Sequence, residues 1–479
     1  MFRTVGDQPS LWESILPEEV RRLPDELARV DALLDDSAFF APFVPYFDPR
    51  IGRPSTPKET YLRLMFLKFR YRLGYESLCR EVSDSITWRV FCRIPLDVSV
   101  PHPTTLIKLT TRCGARAVEG LNETLLAKAA QAKLLRTSRI RVDTTVVPAN
   151  VAHPTDSGLL AKAVRRIAAT GKRIQAAGGA VRTSICDRSR AAGKRAHEIA
   201  AKLRLRGALG RDEAQATVLR VTGELAELAA TAADQAERLL GNAKQALRRA
   251  RAKADKLRKR GVHDPVAGRC RGRLARAVND LTELLDATRQ IVAQTRQRVA
   301  GHTPDGATRR VSLHDGDARP IAKGRLGRPV EFGHKGQIVD NDDGIVLDHS
   351  VEQGNPPDAP QLAPAVKRIK KRAGRAPRTV TADRGYGEAK VDRELSDLGV
   401  TNVVIPRRGK PSQARRAEEH RKAFRRTVKW RTGSEGRISY LKRGYGWDRT
   451  RIDGTEGARI WTGHGILAHN LVKISALAA

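Results

Sequence analysis

Three acids in this chain stand where phosphoryl-transfer chemistry could be built. Asp143 lies in RTSRIRVDTTVVPAN, Arg136 to Asn150, bracketed by the β-branched Ile140, Val142, Val146 and Val147. Asp383 ends a second β-branched run, RTVTADRGYG, at a glycine-rich turn. Glu435 opens a stretch that reads as helix after Gly433, KWRTGSEGRISYLKRGYG. Two carboxylates at strand ends and one on a helix could converge on divalent ions that activate water or a hydroxyl. Asp143 is the sharpest of the three, because strand interiors are depleted in Asp. Its run reads as a strand buried on both faces in mid-sheet, where an unpaired carboxylate is strongly disfavoured. Either a basic side chain or a metal ion is therefore expected over it. The other two signals are weaker singly: Asp-Arg-Gly makes a good turn, and a helix dipole favours Glu in a first turn.

The spacing around Glu435 carries more. Lys442 follows it by seven residues, about two helical turns, so both project from nearly one face. Arg431 lies one turn upstream. An acid between two cations suits a metal ligand beside a DNA strand, with Arg431 and Lys442 on phosphates. An intrahelical ion-pair ladder would give the same spacing but leaves Asp143 and Asp383 unexplained.

Composition narrows the partner. Of 479 residues, 89 are Lys or Arg against 53 acids, a net charge of +36, which calls for a polyanion. A nucleic-acid packaging protein fits the charge but not the three acids. The cysteines Cys79, Cys92, Cys113, Cys186 and Cys270 are odd in number and form no Cys-x-x-Cys, against a zinc site or a disulfide framework. No apolar run reaches spanning length and no signal-peptide pattern precedes the acidic Glu13, Glu18 and Glu19, so a soluble cytoplasmic, nucleoid-associated protein is expected, with no membrane partner.

Residues 10–36 repeat apolar positions at helical spacing, from Leu16 through Val20, Leu23, Leu27, Val30 and Leu33 to Leu34. The Pro- and Phe-rich 37–54 reads as a packed loop. From Pro57 a compact helical domain follows, with junctions at Gly74 and Asp84, read equally as a DNA-binding helix-turn-helix or a dimerisation domain. HPTT at His102 supplies a capping threonine for the next helix. Past Asp156 the chain is helical to about residue 300. A stripe from Val221 through Leu225, Leu239 and Leu247 to Leu257 keeps the plain α-helical period, which predicts antiparallel helices broken near Gly261 to Gly272. Lys244 to Arg276 holds 13 basic residues and two acids, a phosphate-contact surface or a solvated face. Sheet structure is expected again near Val311, with a hairpin at Asn341 to Gly344, then helix, strand, helix, strand and helix.

With these elements placed, the chain resembles the DDE transposases of bacterial insertion sequences. RVDTTVV with PTDSGLL looks like their first-acid segment. TADRGYG matches their Asp-x-Gly-Tyr pattern at Asp383, Gly385 and Tyr386. Their Tyr-x2-Arg-x3-Glu-x6-Lys motif reads Val428, Arg431, Glu435 and Lys442, so no role passes to Val428. LRLMFLKFRYRLGYESLCREVSDS is similar to their helical N-terminal domain, and the nearest subgroup is the ISNCY-like one. Pro148 departs from the acidic residue of close relatives.

The resemblance implies an α/β fold: a ribonuclease H-like mixed sheet with helices on both faces, interrupted by a long all-helical insertion, after an N-terminal helical domain. The expected boundaries are 1–135 for that domain, 136–156 with 301–479 for the catalytic domain, and 157–300 for the insertion. It also implies Asp143, Asp383 and Glu435 as catalytic metal ligands for Mg²⁺, with Mn²⁺ able to substitute. Arg431, Lys442, Arg384, Arg437 and Arg443 are the expected DNA contacts, on a homo-oligomer, a dimer, bound to element ends and target. The alternatives are a non-catalytic DNA-binding protein derived from a decayed or domesticated transposase, and a nuclease without strand transfer.

Overall fold

The computed structural model describes residues 1–4, 17–204, 211–262, 264–325 and 328–478. Two compact units emerge: residues 1–150 with 333–479, and residues 151–332.

In the first unit a helical turn, Glu18–Arg21, precedes α1, Asp25–Leu34. Pro24 separates them, so the apolar series of residues 10–36 is broken, and Leu16, its first member, lies outside the described residues. The Pro- and Phe-rich segment is a 3-10 helix, Ser37–Tyr46, with Phe39 and Phe43 buried. Then come α2 (Lys58–Arg70), α3 (Tyr75–Asp84), α4 (Ile86–Cys92) and α5 (Pro103–Gln131). Helix α2 is buried on every side but its last residue, and its Arg63 is held by Asp31 and Asp35 at 2.6 and 2.9 Å. The cap of α5 is the His102 side chain, with Pro103 at the first helical position, rather than a threonine. Gly114 kinks α5 with φ 66°, and the amide freed at Ala115 donates to Glu456 Oε1 at 2.7 Å.

Strand β1, Arg139–Pro148, follows. The second unit is a helical bundle: α6 (Asp156–Ala176), α7 (Ser189–Arg204), α8 (Arg211–Lys259) and α9 (Pro265–Val299). Val221, Leu225, Leu239 and Leu247 of the apolar stripe are buried there against α6, α7 and α9. The break between α8 and α9 is shorter than the glycines predict, since Gly268 and Gly272 continue inside α9. The basic run Lys244 to Arg276 straddles that break and is mostly exposed. Sheet structure resumes at β2, Arg319–Arg325, later than Val311, because residues 311–318 form turns around Asp315, whose Oδ1 accepts from Asp317 and Ala318.

The chain continues through β3 (Arg328–Asp340), β4 (Val346–Gln353), α10 (Ala359–Ala373), β5 (Thr379–Thr381), α11 (Ala389–Asp397) and β6 (Asn402–Val404). Four helices close it: α12 (Gln413–His420), α13 (Lys422–Arg431), α14 (Gly433–Gly444) and α15 (Gly454–Ala478). The sequence reading missed α12 and α13. The sheet is mixed: β1 pairs antiparallel with β3 and parallel with β5, β4 pairs antiparallel with β3, β6 pairs parallel with β5, and β2 also pairs with β3. The N-terminal helices share one apolar core with this sheet.

Helix α15 runs through that core, and Asn470 on it exchanges both hydrogen bonds with Val346 of β4, at 3.0 and 2.8 Å. Two imidazoles, His464 and His469, are buried nearby, and a third, His349, is half-buried. Burial, first of all, pulls His349 down to about 4 and His464 and His469 to about 3, with neighbouring cations adding to it. The unfolded chain takes up these protons near the ordinary value while the folded chain refuses them. Their stabilisation is thus complete above pH ~6.5 and is lost as pH falls toward the folded values. His464 stacks on Phe69 at 5.6 Å, and its Nε2 has no hydrogen-bond partner. His464→Phe is expected to retain about 2 kcal/mol more of its pH 7.5 stability at pH 5 than the wild type does, by urea unfolding at both pH values.

Candidate active site

Asp143 sits in the strand interior because the residues around it can fill both faces of a sheet; it is 8% exposed. The parallel pairing of β1 with β5 ends at Arg141 opposite Thr381. Asp143 and Asp383 each lie two residues beyond that pair, on neighbouring segments just past the end of the parallel pairing, a common place for a ligand in such sheets. Asp383 caps the 3-10 turn Arg384–Tyr386, its Oδ1 accepting from Gly385 N at 2.8 Å. Asp143 Oδ1 accepts from Thr144 N at 2.8 Å, and its Oδ2 accepts from Arg431 Nη1 at 3.1 Å. A basic side chain thus meets Asp143, one of the two partners its position demands.

Arg431 ends α13 and also reaches Glu435 Oε1, 3.6 Å away on the first turn of α14. Burial raises the Asp143 carboxyl to about 6; Arg431 opposes this, while Asp383 and Glu435 add to it. Burial raises Asp383 too, with Asp358 the next cause. Asp383 and Glu435 thus both act on Asp143, and Arg431 acts on both aspartates. The three acids do not close on a shared point: the Glu435 side chain is 67% exposed, and no cluster of three or more His, Cys, Asp or Glu is placed to hold a metal ion among the described residues. The donor set still fits a hard divalent cation. It is all carboxylate oxygen, two of its members are desolvated beyond what their backbone hydrogen bonds offset, and a cation already stands among them.

The remaining candidates separate. Arg384 and Arg443 are exposed, and Lys442 is half-buried. Arg437 turns inward, its Nε 3.6 Å from Asp340 Oδ2. Arg431 is likewise occupied by acids rather than open to solvent.

Two features escaped the sequence reading. Asp358 pairs with Lys335 at 2.7 Å, and its Oδ2 would lie 2.9 Å from a Cβ on Gly385, which places it against the Asp383 turn. Its signal was an acid after the chain-stiffening Pro356 and Pro357. The other is a buried network around Asp340, fully enclosed and opposite Arg141 in the β1–β3 register. Arg141 donates to Asp340 through Nε and Nη2, at 3.0 and 2.7 Å, and through Nη1 to Trp430 O at 3.1 Å. Ser434 Oγ donates to the same carboxylate at 3.0 Å. An Arg two residues from Asp143 on the same strand face was the available signal, since it too needs a partner when buried. Gly433 is required by this approach: a Cβ there would lie 2.1 Å from Arg141 Nη1.

A transposase domain (DUF772) matches residues 16–112, and a transposase DDE domain matches residues 295–471. The chain belongs to the DDE transposases of insertion sequences. Asp383 and Glu435 of the transposase fall inside the second match; Asp143 precedes it, before the helical bundle. Over 157 residues the transposase is 28% identical to the uncharacterized protein ORF8 in the nfe locus of Rhizobium meliloti, covering 31% of this chain and 73% of that protein. No solved structure matches it.

Removing one partner from a buried ion pair strands the other. Asp340→Ala in the transposase is therefore expected to cost about 3–5 kcal/mol of unfolding free energy, with Arg141 left unpaired. Chemical denaturation measures this, and a loss below about 1 kcal/mol would mean that the network does not hold α14 to the sheet.

Proposed function

We propose that the transposase binds the terminal inverted repeats of its element and carries out strand cleavage followed by strand transfer. The observation that carries this reading is that Arg431 pairs with Asp143 and reaches Glu435, while Asp143 and Asp383 each lie two residues past the end of the β1–β5 pairing. The same reading takes the sheet, with β1 antiparallel to β3 and parallel to β5, as a ribonuclease H-like catalytic domain. A divalent cation held by these acids, Mg²⁺ with Mn²⁺ as substitute, would supply the Lewis acidity of two-metal phosphoryl transfer.

The chain's own residues set the rest. Asp143 and Asp383 keep fixed positions because backbone amides hold one oxygen of each. Glu435, on a helix anchored through Ser434 and exposed at its tip, can close on the others once DNA arrives. Arg431 neutralises Asp143 in the free protein and is placed to exchange that carboxylate for a DNA phosphate. Arg384 and Arg443 offer exposed cations along the strand, with Lys442 on the Glu435 face of α14. In the first step a water oxygen attacks phosphorus and the P–O3′ bond breaks, leaving a 3′-hydroxyl. In the second, that hydroxyl attacks a target phosphodiester, and the displaced target 3′-oxygen leaves. No covalent protein–DNA intermediate is needed.

Asp143→Asn, Asp383→Asn and Glu435→Gln are each expected to lower cleavage of element-end DNA by at least a thousandfold while changing binding little. Gel assays of nicked and joined product, with circular dichroism on each variant, measure this. Near-wild-type cleavage in any one variant removes that residue from the site. DNA binding by the wild type with no cleavage in Mg²⁺ or Mn²⁺ would favour a non-catalytic DNA-binding protein.

A further inference from the structure

A cavity of about 640 Å³ lies where α2 and α3 meet the loop after α14. On its wall is Lys68 of α2, 2% exposed. Its Nζ donates to Leu73 O at 3.3 Å and stands 4.1, 4.6 and 4.7 Å from the ring centres of Trp461, Tyr75 and Phe69. Among the described residues no carboxylate forms an ion pair with it. Asp448, on the same wall, is taken by Arg72 at 2.6 Å. Burial, and after it the repulsion of Arg451 at the rim, brings the ammonium down to about 7. Ring faces offset part of the cost of burying a cation, but a second cation beside it adds to that cost. The lining as a whole carries four basic residues against two acids. Two of those cations, Lys68 and Arg451, form no ion pair among the described residues.

The place of the cavity in the fold says which anion these two cations would meet. The cavity adjoins the carboxyl end of α14, the helix that carries Glu435 at its other end. Those ends are separated by about 15–20 Å at 1.5 Å per residue. That is roughly four to six nucleotides of a strand at 3.4 Å each. Lys442 and Arg443 lie between.

We propose that this cavity takes a backbone phosphate of the DNA strand that also passes Glu435, with Lys68 as its buried cation and Arg451 as its rim cation. The assignment rests on the DNA reading above and extends it to the segment matched as a transposase domain, where Lys68 lies. One phosphate shared by two cations makes them non-additive: losing either forfeits the contact.

The test measures binding of a 30-base-pair duplex against salt, which is independent of cleavage. Lys68→Met, which keeps the stem's bulk, is expected to lower affinity about tenfold in low salt and the log–log salt slope by about 0.9. Arg451→Gln is expected to do the same, and the double variant no more than either. An unchanged slope in Lys68→Met makes Lys68 a structural cation and overturns the proposal. Additive losses in the double variant assign a diffuse basic surface instead, and also overturn it. If Lys68→Met does not fold, Arg451→Gln carries the test, and a wild-type slope there is decisive against. A wild type that binds no duplex overturns the DNA reading beneath the proposal. Inorganic phosphate raising the Tm of the wild type but not of Lys68→Met would then assign the cavity to free phosphate.

Discussion

A carboxylate in the interior of a central strand must be met by positive charge, and the placement of two helices follows from how this chain meets it. Asp143 lies among apolar residues that could otherwise pack without it. Its partner, Arg431, is the last residue of α13, and Glu435 begins one turn later on α14. One guanidinium between two acids therefore fixes where that helix pair sits over the sheet. Since stranding either member of a desolvated pair costs about 3–5 kcal/mol, the arrangement is steep around its minimum. Arg431 meets this electrostatic demand from within the chain.

A second charge pair makes the placement rigid. Arg141 and Asp143 share one face of β1 and carry opposite charge. Arg141 reaches Asp340 across the sheet and the Trp430 carbonyl at the end of α13, while Arg139 and Arg141 stand 4.1 and 4.8 Å from the Trp430 ring. Ser434 adds a hydroxyl to the same buried carboxylate. The segment from Trp430 to Ser434 is thus gripped by Arg139, Arg141 and Asp143 of β1 and by Asp340 of β3. That grip is what lets a largely exposed glutamate remain beside the buried Asp143.

What the sequence revealed depended on whether burial left a mark. The β-branched run around Asp143 marks a central strand, and Asn341 to Gly344 marks a hairpin, whose Gly344 indeed takes φ 77°. The stripe from Val221 marks α8, since a long helix in a bundle must keep one apolar face. Helix α13 left no mark: Phe424 is its one buried residue, and cation–carboxylate pairs rather than apolar periodicity hold it. Asp358 and Asp340 were hidden for a related reason. An acid beside a loop or at a strand end is ordinary by itself. Its importance comes from Lys335, Gly385 or Arg141, which are distant in sequence and near only once the sheet has formed. The inward turn of Arg437 was hidden likewise, because a helical Arg reads as solvated until the carboxylate beneath it is known.

The N-terminal helices belong to the same argument. Phe66 and Phe69 of α2 and Leu121 of α5 share a core with Val142 of β1 and Leu467 of α15, so this part of the transposase does not hang from the sheet by a tether. Arg72, just after α2, donates to the carbonyl of Arg443 at 2.9 Å and pairs with Asp448. Helix α14 is therefore held at its amino end by charges on β1 and at its carboxyl end by a cation from the N-terminal helices. A rod fixed at both ends transmits displacement from one to the other. A displacement of the N-terminal helices would therefore reach Glu435, the most exposed of the three acids.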